Sequence, residues 1–177
     1  MMQQYDWNWP TKIDRLKVEH HMQLEFIKQK ANIIFVGGVG LGKSHLATAI
    51  AYQACLKGHK VAFFNTIKVI NNLSAAQLQG TLNKELKKYT NPDLLLLDEI
   101  GYLPIDQRGA DLLFQVISHR YEQGSTIITT NKAFKQWPTI FNNDATITSA
   151  VLDRLLHHAS TITIQGKSYR MKDKNDD

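Results

Sequence analysis

Five short apolar runs punctuate the chain, at residues 32–36 (NIIFV), 61–65 (VAFFN), 94–98 (LLLLD), 126–130 (TIITT) and 161–164 (TITI). Taken together they are apolar throughout rather than alternating, and most stop at a glycine, asparagine or aspartate. Runs of this length predict short strands buried on both faces. Helical patterns fill the intervals. Residues 43–56 are alanine-rich and end just before Gly58, a residue suited to a helix C-terminus. Further helices are predicted over 66–79 and 82–88. Another spans 109–123, where Ala110, Leu113, Phe114, Ile117 and Tyr121 share one face and Gly124 closes the element. The last is predicted over 148–158. Ahead of the first strand, Leu16, Val18, Met22, Leu24, Phe26 and Ile27 give residues 14–29 a moderately helical period. The first ten residues carry Tyr5, Trp7 and Trp9 beside Pro10 and read as an extended segment that docks its rings. The acidic and basic tail after Met171 reads as a frayed end.

Strands alternating with helices, with strands apolar on both faces, define an α/β fold with a parallel sheet covered on both sides. At 177 residues the chain has the length of one ordinary domain. Its expected division is an N-terminal linker and helix (1–30), a core (31–170) and the tail (171–177). In such sheets ligands bind beyond the carboxyl ends of the strands.

The strongest candidate chemistry falls there. Gly37, Gly38, Val39, Gly40, Leu41, Gly42, Lys43 and Ser44 match G-x-x-x-x-G-K-[ST], directly after the first strand and opening a helix. Glycines let the backbone turn tightly, so that its N–H groups point inward at phosphate oxygens. The helix N-terminus adds positive partial charge. Lys43 supplies a cation for the β- and γ-phosphates, and Ser44 a hydroxyl for Mg²⁺. The expected ATP cradle runs from Gly38 through Val39, Gly40, Leu41, Gly42, Lys43 and Ser44 to His45.

The third strand ends in Asp98-Glu99. Asp98 suits the Mg²⁺ shell, and Glu99 suits a general base that polarises an attacking water. The plainer alternative is an acidic turn after a strand. Asn131 follows the fourth strand and can present its amide to the γ-phosphate if that strand lies between the other two; otherwise it is a turn-forming residue. Arg154 lies in an otherwise apolar helix beside Asp153. It can be an arginine finger for a neighbouring subunit or part of a local surface pair. Arg170, in Gly166-Lys167-Ser168-Tyr169-Arg170, contacts either phosphate or solvent. The pairs His20-His21 and His157-His158 are adjacent, so on a helix they point to different faces, and a metal-binding role is not expected of them.

Composition narrows the picture. Hydrophobic residues at 43% and charged residues at 21% exclude a disordered chain. The single cysteine, Cys55, excludes a disulfide framework and a cysteine-based zinc site. No apolar run is long enough to span a membrane, and the expected setting is cytoplasmic. Twenty-one basic against sixteen acidic residues give +5, a leaning that permits a nucleic-acid partner without demanding one. Lys68, Lys84, Lys87 and Lys88 could meet phosphates by charge alone, or form an ordinary solvated face.

The motifs GGVGLGKSHLA, DLLLLDEIGYLP, STIITTNKAFKQW, VLDRLLHHA and GKSYR, in this order, resemble the IstB-like ATPases. These are insertion-sequence ATP-binding proteins, relatives of the DnaC helicase loaders within the AAA+ superfamily. The first two motifs alone mark only a P-loop ATPase; the combination of IGYLP after the acids, TTN-K-x-F-x-x-W and DRLLHH is much more discriminating. The resemblance covers residues 5–170. It implies a three-layer AAA+ (ASCE) P-loop fold with a five-stranded parallel sheet in the order 5-1-4-3-2. It also implies ATP and Mg²⁺ as ligands, with Lys43 and Ser44 as Walker A residues and Asp98 and Glu99 as the Walker B pair. Asn131 matches sensor 1, Arg154 the arginine finger, and residues 5–9 a wall for the adenine. Only 36 residues precede Gly37, so the family's N-terminal partner-binding helices are expected to be short or removed. A long C-terminal lid is likewise not expected. The implied function is an ATP-hydrolysing switch that forms homo-oligomers on DNA, duplex DNA above all, and assists a transposase. The alternatives are a DnaC-like loader with a replicative helicase as partner, a small-molecule P-loop kinase, and a nucleotide-binding scaffold. The adjacent acids and the Asn131 strand disfavour the kinase.

Overall fold

The uniformly apolar strands pair in parallel. A computed structural model describes residues 2–9 and 11–174; Pro10 of the aromatic segment and residues 175–177 of the expected frayed end lie outside the described residues. The strands are β1 (Thr11–Lys12), β2 (Asn32–Gly37), β3 (Val61–Asn65), β4 (Leu94–Ile100), β5 (Ser125–Thr130) and β6 (Ala159–Gly166). They form one sheet in the order β1-β6-β2-β5-β4-β3. All neighbours from β6 to β3 are parallel. Counted among the five parallel strands alone, the order is the 5-1-4-3-2 that the family resemblance implies. The two-residue β1 adds an antiparallel edge on β6; two residues carry no period for a sequence reading to detect.

The helices are α1 (Arg15–His21), α2 (Glu25–Lys28), α3 (Lys43–Leu56), α4 (Thr66–Leu78), α5 (Leu82–Thr90), α6 (Gln107–Arg120) and α7 (Ala145–Leu156). They cover both faces of the sheet. Residues of one strand alternate between two cores: Leu95 and Leu97 pack with α4, α5, α6 and α7, while Leu94 and Leu96 pack with α1, α2 and α3. Leu94 to Leu97 are all fully buried. The uninterrupted leucine run is thus a strand that must be apolar twice over.

Two differences from the sequence reading have local causes. The helix expected over 14–29 is broken into α1 and α2, with Leu24 between them at φ 64°. The turn lets Val18, Leu24, Phe26 and Ile27 all enter one core while Leu16 stays exposed, an arrangement that a straight helix of 3.6 period cannot produce. Helices α6 and α7 each begin two or three residues early. Asp106 and Asp144 cap them, accepting from the backbone N–H of Gly109 and Ile147. A 3-10 turn at Phe134–Thr139, with Trp137 fully buried, was not foreseen.

Arg120 ties the entry side of the sheet together. Buried at the end of α6, it donates to the carbonyls of Tyr89 at 3.0 Å and Pro92 at 2.9 Å, to that of Ser125, and to the Thr126 hydroxyl. Burial pulls its pKa down to about 10, yet these carbonyls replace the water that a charged group needs.

His21, buried on α1, is hydrogen-bonded to the Ser160 hydroxyl at 2.7 Å on β6. Burial, with the nearby His20 and Lys17, lowers its pKa to about 4. The unfolded chain therefore binds a proton that the fold refuses. Stability is complete above the ordinary value near 6.5 and falls as pH drops from there toward about 4, by up to about 3 kcal/mol. Urea unfolding across this range should show that loss in the native sequence and lose most of it in His21→Gln, which keeps a partner for Ser160 but does not titrate.

Candidate functional site

The carboxyl ends of β2, β4 and β5 lie side by side, with β5 in the middle. The loop leaving β2 runs through Gly40 at φ 76° and Gly42 at φ 82° into α3. Both positions need glycine for a second reason. A Cβ on Gly40 would collide with the Ser168 hydroxyl, and one on Gly42 would sit 2.6 Å from the Tyr5 ring. The loop is thus clasped by segments from both ends of the chain. The Tyr169 N–H donates to the Gly40 carbonyl at 2.9 Å, the Trp9 indole to the Lys167 carbonyl at 2.9 Å, and the Trp9 and Tyr169 rings meet edge to face. Together they wall a cavity of about 310 Å³, lined by Tyr5, Trp9, Lys43, Glu99, Tyr102 and Arg170 among others. Gly40 to His45 also line it, as does Val39. Its size suits a small polar ligand.

Beyond this loop, β4 departs from regular pairing. Leu97 faces Ile128, yet Ile100 faces Thr130, so three steps on β4 match two on β5. The extra residue lies at Asp98-Glu99, and Glu99 adopts φ 62°. Such a bulge re-aims side chains next to functional sites. Thr129, fully buried on β5, holds it: its hydroxyl accepts from the Glu99 N–H at 2.9 Å and donates to Asp98 Oδ1. Ser44 Oγ donates to the same Asp98 oxygen at 2.7 Å, and Thr66 Oγ1 to the Asp98 carbonyl at 2.8 Å. A hydroxyl and a carboxylate in direct contact are hard oxygen donors of the kind Mg²⁺ takes, so the residues present fit that ion. Glu99 Oε2 accepts from Asn65 Nδ2 at 2.7 Å, from the end of β3.

Lys43 is buried at 3% exposure, donates to the Gly38 carbonyl at 2.6 Å and lies over the Tyr102 ring. Burial is the main force lowering its pKa; Asp98 and Glu99 oppose it, and Arg170 adds to the lowering. Burial and the same two carboxylates push the Tyr102 phenol up. A buried ammonium hydrogen-bonded to one carbonyl keeps donor capacity for a further anionic partner.

The expected residues sort cleanly. Val39 to His45, Glu99 and Arg170 line one cavity; Gly38 and Asp98 adjoin it through their hydrogen bonds with Lys43 and Ser44. Asn131 follows β5, between the loop and the acids, and its Oδ1 is buried with no hydrogen-bond partner. Arg154 is elsewhere: on α7 it donates to the Ala150 carbonyl at 3.0 Å, and its guanidinium stacks 5.0 Å from the Phe114 ring of α6. It does not line the cavity of its own chain. Thr129 and Asn65 were missed by the sequence reading. The available signal for Asn65 was that VAFFN, like TIITTN, ends an apolar strand in asparagine; Thr129 lay unread inside an apolar run.

The family model described as IstB-like ATP binding protein matches residues 1–177. The protein named for ATP binding in insertion sequence IS232 of Bacillus thuringiensis subsp. berliner is 43% identical over 170 residues, which cover 96% of this chain and 68% of that one. The crystal structure of the DnaC helicase loader is similar at a TM-score of 0.71 and 25% identity, covering 85% of this chain and 87% of that chain. That of DnaI, at a TM-score of 0.76 and 20% identity, covers 94% and 88% and speaks to the fold alone.

Because its folded pKa is lowered, the charged Lys43 costs the ligand-free fold stability, and that cost lifts as pH rises through the lowered value. Lys43→Met should therefore stabilise the ligand-free protein by about 1 kcal/mol in urea unfolding at neutral pH. The same substitution should abolish the rise in Tm that ATP gives the native chain. A variant less stable than the native sequence would show that the Gly38 contact outweighs desolvation.

Proposed function

The chain belongs to the IstB-like ATP-binding protein family, and from that premise we propose that it is a Mg²⁺-dependent ATPase that assembles on duplex DNA and assists a transposase. The observation that carries the hydrolytic part is the hydroxyl–carboxylate knot of Ser44, Asp98 and Thr129, with Glu99 turned out of the strand beside it. In this reading the N–H groups of residues 38–45 and Lys43 hold the triphosphate. Ser44 and Asp98 hold Mg²⁺, which when bound offsets the charge on the β- and γ-phosphates. Glu99 takes a proton from the attacking water, and the unpartnered Asn131 amide orients that water or the γ-phosphate. Lys43 needs no new conformation to serve; the phosphates replace the Gly38 carbonyl as its partner.

Arg154 acts on the neighbouring subunit. Its place on α7, half-buried against Phe114 of α6 and outside the lining of its own chain's cavity, supports a role in trans. Each site is then complete only in an assembly, where such an arginine contributes about 10³–10⁵ in rate. The DNA contact is a charge contact. Lys68, Lys84 and Lys87 are exposed, while Lys88 is paired with Glu85 at 2.6 Å. No helix among the described residues is long and apolar enough to cross a membrane, in keeping with a cytoplasmic setting. The likeness to the DnaC loader at 25% identity favours one second reading, a helicase loader that acts on single-stranded DNA. Sizing with ATP separates the two: growth on duplex fits the transposition role, and growth on single strands fits the loader.

Two variants test the chemistry. Glu99→Gln should keep ATP affinity while turnover falls about 10²–10⁴-fold, measured as phosphate release; unchanged turnover removes Glu99 as the base. For Arg154→Ala, an isolated subunit should bind nucleotide normally, and the rise in specific activity with protein concentration should vanish. If the native protein shows no such rise, the arginine does not act between subunits.

A further inference from the structure

A second cluster of polar groups lies away from the phosphate loop. Glu122, in the loop between α6 and β5, faces His157 and His158, in the turn between α7 and β6. Glu122 Oε1 is 3.8 Å from His157 Nδ1 and 3.8 Å from His158 Nε2. One donor atom from each of the three residues lies within 4.8 Å of the others. The expectation that adjacent histidines point apart holds inside a helix. It fails here because α7 ends at Leu156: His157 is its C-cap and His158 lies beyond it. The two rings come to 4.1 Å, tilted by 31°. His20 and His21 line the same surface hollow from α1, but His21 is committed to Ser160.

We propose that Glu122, His157 and His158 bind a zinc-class divalent cation, with water in the remaining positions. Two imidazoles and one carboxylate are the donor set of that class, whereas Mg²⁺ and Ca²⁺ take oxygen. Tetrahedral Zn–N and Zn–O bonds near 2.0–2.1 Å place donors about 3.3 Å apart. The three side chains are about half exposed, so small rotations close the remaining gap. One group stands in the way: the Tyr121 hydroxyl is hydrogen-bonded to His157 Nδ1 at 2.5 Å. That bond engages the nitrogen in the metal-free protein and must break when the ion enters.

The ion would act as a clip. It joins the loop after α6 to the end of α7, the two helices that Arg154 and Phe114 already connect, about one turn earlier on α7 and about two turns earlier on α6. Binding only to the fold, it stabilises the fold by mass action. The consequence for Arg154 rests on the proposed role in trans; the site itself does not.

The test uses the full chain without nucleotide, titrated with Co²⁺ and then displaced with Zn²⁺. The expected result is visible absorption of a low-coordinate Co²⁺ site saturating near about one equivalent per chain. Zn²⁺ at about 100-fold over its Kd should raise Tm by roughly 5–10 °C. Glu122→Gln and His158→Gln should each weaken binding by more than about tenfold. Tyr121→Phe should tighten it by about 2- to 10-fold, the value of a released hydrogen bond; a gain of affinity cannot come from misfolding. A native chain with neither absorption nor a Tm rise overturns the proposal. So does a response that survives in Glu122→Gln and His158→Gln, or binding that weakens in Tyr121→Phe.

Discussion

One carboxylate oxygen carries much of the site's order. Asp98 Oδ1 accepts from Ser44 of the phosphate loop and from Thr129 of the neighbouring strand, so three segments that are far apart in sequence meet on one atom. Thr129 then uses its lone pair for the Glu99 N–H, which fixes the bulge that turns Glu99 out. Every donor here is buried or half-buried, and a missing partner would leave a polar group without water. The knot is therefore a structural fastening, and in the proposed reading Ser44 and Asp98 would offer those same oxygens to Mg²⁺.

Charge tells the same story from the other side. Lys43 is held in the fold against its own desolvation, and Asn131 keeps a buried oxygen without a partner. Natural cores pair such groups. A cation hydrogen-bonded to one carbonyl and an unpartnered amide oxygen beside one phosphate-type loop mark a region shaped for a ligand rather than for stability. Arg120 shows what the fold does where no ligand is meant to come: a cation equally buried, but saturated by backbone carbonyls. The contrast between Lys43 and Arg120 separates a functional buried cation from a structural one.

Much of this was legible in the residues. The five parallel strands could be read because their runs are short and largely apolar, as the central β2, β4 and β5 must be on both faces, although β3 and β6 at the sides are only partly buried; Lys43–Leu56 could be read to its ends because glycines bracket it. The phosphate loop and the acids were legible because their spacing is dictated by backbone geometry. What escaped was whatever depends on contact between distant segments. No local pattern predicts that Leu24 turns left-handed to bring two short helices into one core. None tells Thr129 from the other threonines of its strand, or Asn65 from a turn residue. The histidine pair at 157–158 was misread for a related reason. The rule for adjacent residues on a helix was applied across a boundary that the periodicity alone could not place.

The position of Arg154 links these local facts to the behaviour of the whole. If Arg154 is the arginine that the proposed hydrolysis needs, a chain that placed it in its own cavity would turn over wherever ATP was present. Here α7 points that side chain along the surface of α6, with Phe114 beneath it, and the chain's own cavity is bounded instead by Arg170 and the aromatic clasp. Stacking on Phe114 limits the rotamers available to the guanidinium, so less entropy is lost when it meets a partner's phosphate. In the proposed assembly the barrier to hydrolysis is then set by how α7 is held, because a shift of about 1 Å at the guanidinium is enough to lose most of the benefit of positioning. Among the elements that bear on α7 are α6, through Phe114, and the loop after it, where Glu122 faces His157. Both are far in sequence from the phosphate loop, so in the proposed assembly the geometry of association and the nucleotide chemistry would be set by separate parts of one short chain.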